Sequence, residues 1–586
     1  MKKNLAYILS LSFLFISLVH AHDKEVTIVI LGTSDLHGRI FPWDYAHDEK
    51  DTAAGYLKIA SVVKETRAQY KNVILVDAGD TIEGNYINLF HREAKSPIIE
   101  VMNDIGYDTW TLGNHEFNFG LEILERAVKT SHAMVLGANI YSTTTGKRVY
   151  DAYKISTKDG INIAVIGMIT PNIPRWEGAY PDHYVGLEFK NPVEETKKVL
   201  EELQGKADVV VGAFHIGLDT EYSHSDGVRS IIETNPRLDV VVSGHAHRDI
   251  PGITIGTTLV VDPSYKGERV SKIVLKLRKK NEEWKIVEKA SENIDTRKYA
   301  ADTKLEKKYE WIHLASRQEA NKIIAEVSQD FLKKRELLPG ISLLPLQDNA
   351  INDLINTVEL YFTKADIASS SLFKSDMNIK KGAFKNKDII NIYKYPNTLI
   401  AAKISGKKLK KYMEWSARYF NTYKPGDVTI SFDGNIRHYN YDMFSGVTYE
   451  IDISQEPGKR IKNLNFQGKP VTDDMTFTIA MNNYRFGALA HDGYLEEKDK
   501  VFDSLEKWPD ATMQTLIAQY VREKKVIEPK VDNNWKIVGA DLDHPMKEKI
   551  YSLVRARKIH IPHGENDSFN TQSLNVFELE KQGLLD

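Results

Sequence analysis

Between Thr27 and Pro263 the chain returns again and again to short, unbroken runs of apolar residues, many of them β-branched. The runs are Thr27–Gly32, Val73–Val76, Thr109–Leu112, Met134–Leu136, Ile161–Ile166, Val209–Phe214, Leu238–Val242 and Leu259–Val261. Segments with helical spacing separate them: Tyr56–Tyr70, Pro97–Ile105, Leu121–Thr130 and Pro192–Leu203. A strand exposed on one face alternates apolar with polar residues, whereas a strand buried on both faces does not. The first half is therefore predicted to be a layered α/β domain and not a helix bundle.

A chain of 586 residues is too long for one core, so at least a second domain is expected. Charged residues cluster from Lys279 to Glu292 and close the first domain. A stretch rich in Lys, Glu and Ala from Thr303 to Val327 reads as an interdomain helix, or equally as a surface helix of either domain. From Ser328 to Ala540 a less regular, mixed α/β pattern follows. It has a helix over Leu346–Tyr361 and strands at Val447–Ile453 and Met475–Met481. The division is 1–21 signal peptide, 22–295 first domain, 296–327 connecting helix, 328–545 second domain and 546–586 tail. Lys2 and Lys3 precede an apolar run, Leu5 through Val19, and Val19-His20-Ala21 ends in a cleavable small residue, so export to a periplasm or beyond is expected. The run is shorter than the ~20 residues a membrane span needs.

Five of the strand ends carry polar cargo. Asp35 and His37 follow the first run; Asp77-Ala78-Gly79-Asp80 ends the second; Gly113-Asn114-His115-Glu116 follows the third. His215 follows Val209–Phe214, and Ser243-Gly244-His245-Ala246-His247 follows Leu238–Val242. Open α/β sheets bind ligands at the carboxyl ends of their strands. One histidine there is ordinary; five strand ends in succession point to a metal site. The chain has no Cys, so any metal must be held by imidazole, carboxylate and amide, a set suited to divalent zinc, manganese, cobalt or iron. Two such ions about 3.5–4 Å apart clamp the attacking and leaving oxygens of an in-line displacement. Asp80, in a tight Gly-Asp turn midway in the order, is placed to bridge them, and Asn114 offers a neutral oxygen.

Asp35-x-His37, Gly79-Asp80-x-x-x-Gly84, Gly113-Asn114-His115-Glu116, His215 and Gly244-His245-x-His247 resemble the motif series of calcineurin-like metallophosphoesterases. The resemblance implies a four-layer α/β/β/α domain. It also implies one ion on Asp35, His37, Asp80 and His247, a second on Asp80, Asn114, His215 and His245, and His115 as the catalytic imidazole. Many relatives carry Asp at the place of Asn118, where it orients that imidazole. The cyclic-nucleotide enzymes use Asn, as here, so Asn118 is expected to hold His115 by a hydrogen bond. Glu116 is a poor substitute because it is the imidazole's immediate neighbour.

The second half resembles the substrate-binding domain of bacterial nucleotidases. Within that group it is similar to the periplasmic bifunctional 2′,3′-cyclic-nucleotide 2′-phosphodiesterase/3′-nucleotidases. Tyr395-Pro396-Asn397-Thr398-Leu399, Tyr439-Asn440-Tyr441-Asp442, Asn482-Asn483-Tyr484-Arg485 and Asp532-Asn533-Asn534-Trp535 carry this likeness, with Trp43-Asp44-Tyr45 near the first motif. It implies an aromatic clamp for the base, expected from Tyr441 and Tyr484 with Tyr439 in reserve, and a ribose contact from Asp492. Two extra residues between Tyr484 and Gly493 depart from the usual spacing there. The function implied is hydrolysis of 2′,3′-cyclic nucleotides to 3′-nucleotides, then to nucleoside and phosphate. The alternatives are a 5′-nucleotidase or nucleotide-sugar hydrolase on the same scaffold, and a non-catalytic exported nucleotide-binding protein. A complete ligand set argues against the last. A net charge of −3 gives no reason to expect nucleic-acid polymer or anionic membrane as partner, and the chain is expected to act as a monomer.

Overall fold

The computed structural model describes residues 25–585 apart from 178–179, 224, 376, 509–510 and 565–566. The expected signal segment, 1–21, lies outside the described residues. Among those described, no helix is long and apolar enough to cross a membrane.

Two six-stranded sheets make the centre of the first domain. One runs in the order Glu283–Asp295, Arg269–Lys280, Glu25–Thr33, Val73–Asp77, Thr109–Thr111, Met134–Leu136, and its last four strands are parallel. The other runs Asp249–Ile255, Thr258–Pro263, Val240–Ser243, Val209–His215, Ile161–Ile169, Tyr153–Lys158, parallel through its middle four. Val26, Ile28, Ile30, Val76, Val211, Val242 and Leu275 fill the space between the sheets. The helices Tyr56–Gln69 and Pro97–Ile105 cover the outer face of the first sheet. Pro192–Glu202 and Val228–Thr234 cover the outer face of the second. The result is an α/β/β/α stack, as the resemblance implied.

Parallel register brings the functional ends together. Thr33 pairs with Asp77 and Asp77 with Trp110, so the loops after these three strands leave the sheet at the same edge. Phe214 pairs with Ser243 in the second sheet and does the same there.

The structure corrects two expectations. The charged stretch Lys279–Glu292 does not merely close the domain; it lies within a long hairpin, Arg269–Lys280 with Glu283–Asp295, that extends the first sheet. The helical stretch expected over Thr303–Val327 ends at Ala320, and Ile323–Val327 is a strand paired with Gly382–Lys385; the helix Thr303–Ala320 buries Leu305, Tyr309 and Ile312 in the first domain's core, and Tyr309 donates to Asp104 at 2.8 Å. Its end meets the second domain through the Asn386 N–H and the Lys322 carbonyl, 3.0 Å.

A five-stranded sheet, ordered Asp442–Ser445, Ile367–Ser371, Thr476–Asn482, Leu399–Ser405, Lys500–Asp503, organises the second domain. The helix expected over Leu346–Tyr361 spans Ala350–Thr363; it starts where the Asn349 side chain accepts from the Asn352 N–H. The segment set apart as a tail folds back on this domain: Ile550, Val554, Ile561, Leu574 and Leu579 share a core with Leu338, Ile341 and Val428.

Candidate metal centre and active site

Five of the seven expected ligands have left-handed backbones: Asp35 (φ 55°), His37 (46°), Asp80 (58°), His245 (72°) and His247 (57°). Residues with a Cβ avoid this region, and each such residue costs of order 1–3 kcal/mol. So many together mean that surrounding contacts hold the loops in place. The Asp35 and His37 N–H groups donate to the Gly79 and Asp80 carbonyls at 2.8 and 3.0 Å. Gly113 must be glycine because a Cβ would stand 2.2 Å from Asp80 Oδ1 and 2.5 Å from the Asp80 nitrogen.

The donor atoms form two groups, Asp35/His37/His247 and Asp80/His215/His245. Asn114 Oδ1 joins the second, 3.0 Å from His215 Nε2 and 2.9 Å from His245 Nδ1. His37 Nε2 lies 3.1 Å from His247 Nε2, which is 3.2 Å from Asp35 Oδ1; His215 Nε2 lies 3.1 Å from Asp80 Oδ2. Bonds of about 2.0–2.2 Å from an ion to its ligands separate neighbouring donors by about 3.0–3.4 Å, so these spacings suit divalent cations. Each carboxylate has one oxygen engaged by N–H or O–H donors and turns the other to its donor group. Asp35 Oδ2 accepts from Ser34 Oγ (2.6 Å) and the His245 N–H (3.0 Å), while Asp35 Oδ1 is buried without a hydrogen bond. Asp80 Oδ1 accepts from the His115 N–H at 2.9 Å, which frees Oδ2. The two groups differ electrostatically: burial pushes His215 down, but Asp80 and Asp35 outweigh it and hold the ring up at about 10, whereas burial wins at His247 and pushes it down to about 4 against the pull of Asp35.

The imidazoles are oriented from behind, as metal-binding histidines generally are. His37 Nδ1 meets Glu83 at 3.0 Å, His215 Nδ1 donates to the Ala78 carbonyl at 2.8 Å, and His245 Nε2 meets Glu221 at 3.1 Å. His247 stacks on Tyr265, with centroids 5.0 Å apart and planes within 4°. Sequence reading missed Glu83, Glu221 and Tyr265 because no spacing ties them to the ligands.

His115 stands beside this centre, its Nε2 4.0 Å from Asp80 Oδ2, and its Nδ1 is 2.6 Å from Asn118 Oδ1 as expected. Glu116 has another task. Fully buried, it accepts from the backbone N–H of Asp80, Thr81, Ile82 and Gly113 at 2.5–3.1 Å and ties the two loops together.

Residues 28–249 match the calcineurin-like phosphoesterase family and residues 338–497 match the 5′-nucleotidase C-terminal domain family. The chain joins a calcineurin-like phosphoesterase domain to a 5′-nucleotidase C-terminal domain. It is thereby a hydrolase of the metallophosphoesterase class. It is 29% identical over 597 residues to the 2′,3′-cyclic-nucleotide 2′-phosphodiesterase/3′-nucleotidase of Salmonella typhimurium, covering 88% of this chain and 90% of that protein. Identity to the trifunctional nucleotide phosphoesterase protein YfkN of Bacillus subtilis is 27% over 587 residues, 89% of this chain and 40% of that protein. The chain thus spans less than half the length of that relative. A Staphylococcus aureus structure described as a candidate 5′-nucleotidase, in complex with alpha-ketoglutarate, superposes with a TM-score of 0.75 at 26% identity. The match covers 88% of this chain and all of that one.

In the nucleotidase domain, Tyr441 does not fit the expected clamp. It is 2% exposed and packed against Tyr419, Phe420 and Trp535, so no base can reach its faces. Tyr439, expected only in reserve, is the ring that meets Tyr484. Its ring lies 6.2 Å from that of Tyr484 at 83°, and both are only part-buried. Arg485 joins the two segments by donating to the Tyr439 carbonyl at 2.7 Å while it pairs with Asp442 at 2.6 Å. Asp492 is not a free ribose acceptor in this arrangement; it pairs with Arg175 of the phosphoesterase domain at 3.1 Å. Trp176, beside Arg175, lies 5.3 Å from the His245 ring and donates to the Tyr222 hydroxyl at 3.4 Å. Burial, and beside it Tyr222 and the His245 partner Glu221, raise both the Tyr439 and Tyr484 hydroxyls, so the tyrosine pair lies near the second donor group.

Proposed function

We propose that the chain is an exported phosphoesterase that converts 2′,3′-cyclic nucleotides to 3′-nucleotides and these to nucleoside and phosphate. The observation that carries the reading is the pair of donor groups, Asp35/His37/His247 and Asp80/His215/His245, in a chain whose second domain matches the 5′-nucleotidase C-terminal family and carries Tyr439 and Tyr484. The two rings stand at 83°, so a base would stack on one of them and meet the other edge-on, for roughly 1–3 kcal/mol per stacking contact with little preference among bases. Asp35, His37, Asp80, Asn114, His215, His245 and His247 would hold two divalent ions. Such ions, when bound, supply the positive charge that polarises the phosphoryl oxygens and favours an attacking water. His115 Nε2 points to the same space and donates a proton to the departing ribose oxygen. In the first round water adds to phosphorus, the P–O2′ bond breaks and O2′ takes the proton, leaving a 3′-phosphate. In the second the P–O3′ bond breaks in the same way. Similarity along nearly the whole length of the Salmonella typhimurium protein supports this order. The Staphylococcus aureus structure favours a 5′-nucleotidase as the second reading.

A substrate panel separates the two. With 2′,3′-cyclic AMP, 3′-AMP and 5′-AMP, the first two are expected to be turned over, and chelator or Asp80→Ala should abolish both activities. Preference for 5′-AMP would overturn the reading. Tyr439→Ala and Tyr484→Ala should raise KM for nucleotides about 10-fold each and leave a small aryl phosphate unaffected, whereas equal effects on both would refute stacking.

A further inference from the structure

Asn118 is an amide, and an amide can face an imidazole with either end. Facing His115 with its oxygen, it needs a proton on Nδ1; facing it with its nitrogen, it needs Nδ1 bare and the proton on Nε2. The two arrangements give opposite tautomers at the ring atom that faces Asp80. Asn118 alone does not choose between them.

Its hydrogen-bonded neighbour does. Asn118 Nδ2 lies 2.7 Å from Glu177 Oε1, and Glu177 Oε2 lies 2.7 Å from His183 Nδ1. Glu177 is 6% exposed. A carboxylate accepts hydrogen bonds and has none to give. Asn118 must therefore turn its NH2 to Glu177 and its oxygen to His115. Resting on the assignment of His115 as the catalytic imidazole, we propose that Glu177 is a positioning residue that fixes the Asn118 amide and, through it, the tautomer of His115. Nδ1 then carries a proton permanently engaged with Asn118, and Nε2 is the atom left to exchange a proton with substrate.

Position in the fold explains how a distant loop can do this. Glu177 comes directly after the short helix Ile173–Trp176, in a segment fastened to the nucleotidase domain on either side. Arg175 pairs with Asp492, and the Tyr180 hydroxyl donates to Asp503 at 2.8 Å and accepts from Thr398. His183 holds the second carboxylate oxygen. Every group from His115 to His183 thus has one allowed direction.

The direction of the chain of hydrogen bonds can be kept while its chemistry is exchanged, and that gives the test. Glu177→Ala should lower kcat about 10–100-fold with KM within about twofold, the range for partners behind a functional histidine. Asn118→Asp alone sets two carboxylates face to face and should also lower kcat. The double variant Asn118→Asp/Glu177→Gln restores one acceptor toward His115 and one donor toward residue 118, and should return kcat to within about threefold of wild type. An aryl phosphate serves as substrate, so a wrong nucleotide preference does not disturb the result. Nitrogen-15 NMR of the full chain with labelled histidine should show one Nδ1-protonated signal for His115 in the wild type and the double variant, and a mixture in Glu177→Ala. Wild-type kcat in Glu177→Ala, a double variant no better than the worse single one, or a wild-type His115 protonated on Nε2 with Nδ1 bare would each overturn the proposal.

Discussion

Asp77, the last residue of the strand Val73–Asp77, is fully buried and accepts from Thr33 Oγ1 at 2.6 Å, Thr81 Oγ1 at 3.2 Å and the Gly79 N–H at 3.0 Å. Burial pushes its carboxyl up to about 7, against which those hydrogen bonds work only in part. Such a group binds more protons folded than unfolded between about pH 4 and 7. Its contribution is therefore present in full below about pH 4 and lost as pH rises towards 7, on the order of 2–4 kcal/mol over that range. Asp77→Asn lacks this loss, so its thermal midpoint should rise relative to wild type as pH goes from about 4.5 to 7.5. A constant difference between the two proteins would refute the assignment. The residues that the fold brings into the two donor groups were legible, because few side chains can bind a divalent ion and all were spaced from strand ends. The tyrosines show the opposite. Tyr439 and Tyr441 offer the same ring two positions apart, and which one is walled in by Tyr419 and Trp535 is a matter of packing.

Among elements, the segment from Ile173 to Tyr184 left no mark in the sequence beyond Glu177, Tyr180 and His183 spaced by three. It nonetheless links His115 to the nucleotidase domain. Tyr180→Phe removes the hydrogen bonds to Asp503 and Thr398 while keeping the ring. The expected loss is about 1–2 kcal/mol, read as a lower urea midpoint, together with a several-fold lower kcat; unchanged kcat would mean that the loop holds its place without this anchor. Strands buried on both faces were readable from their unbroken apolar runs. The hairpin Arg269–Asp295 was not, because Val270, Ile273, Leu275 and Leu277 are spaced among Lys and Arg side chains that reach solvent, and the charge hides the strand.

For the whole molecule, the ligands come from five strand ends on two sheets, and they meet only in the folded state. Ions bound there stabilise the folded chain by mass action. Chelation should lower the thermal midpoint by several degrees and readdition of zinc or manganese should restore it; a midpoint indifferent to chelator would count against a resident metal. The segment 546–586 belongs to the same scale, since its scattered apolar residues gain meaning only against Leu338, Ile341 and Val428. The sequence by itself determined the layered phosphoesterase domain and the order of its seven candidate ligands along the strand ends, because periodicity and ligand chemistry are local properties of a chain. Tertiary structure alone decided which tyrosine meets Tyr484, that Asp492 pairs with Arg175, and that a carboxylate 59 residues from Asn118 stands behind its amide. Those depend on which surfaces meet when two domains pack, and no spacing along one strand or helix encodes that.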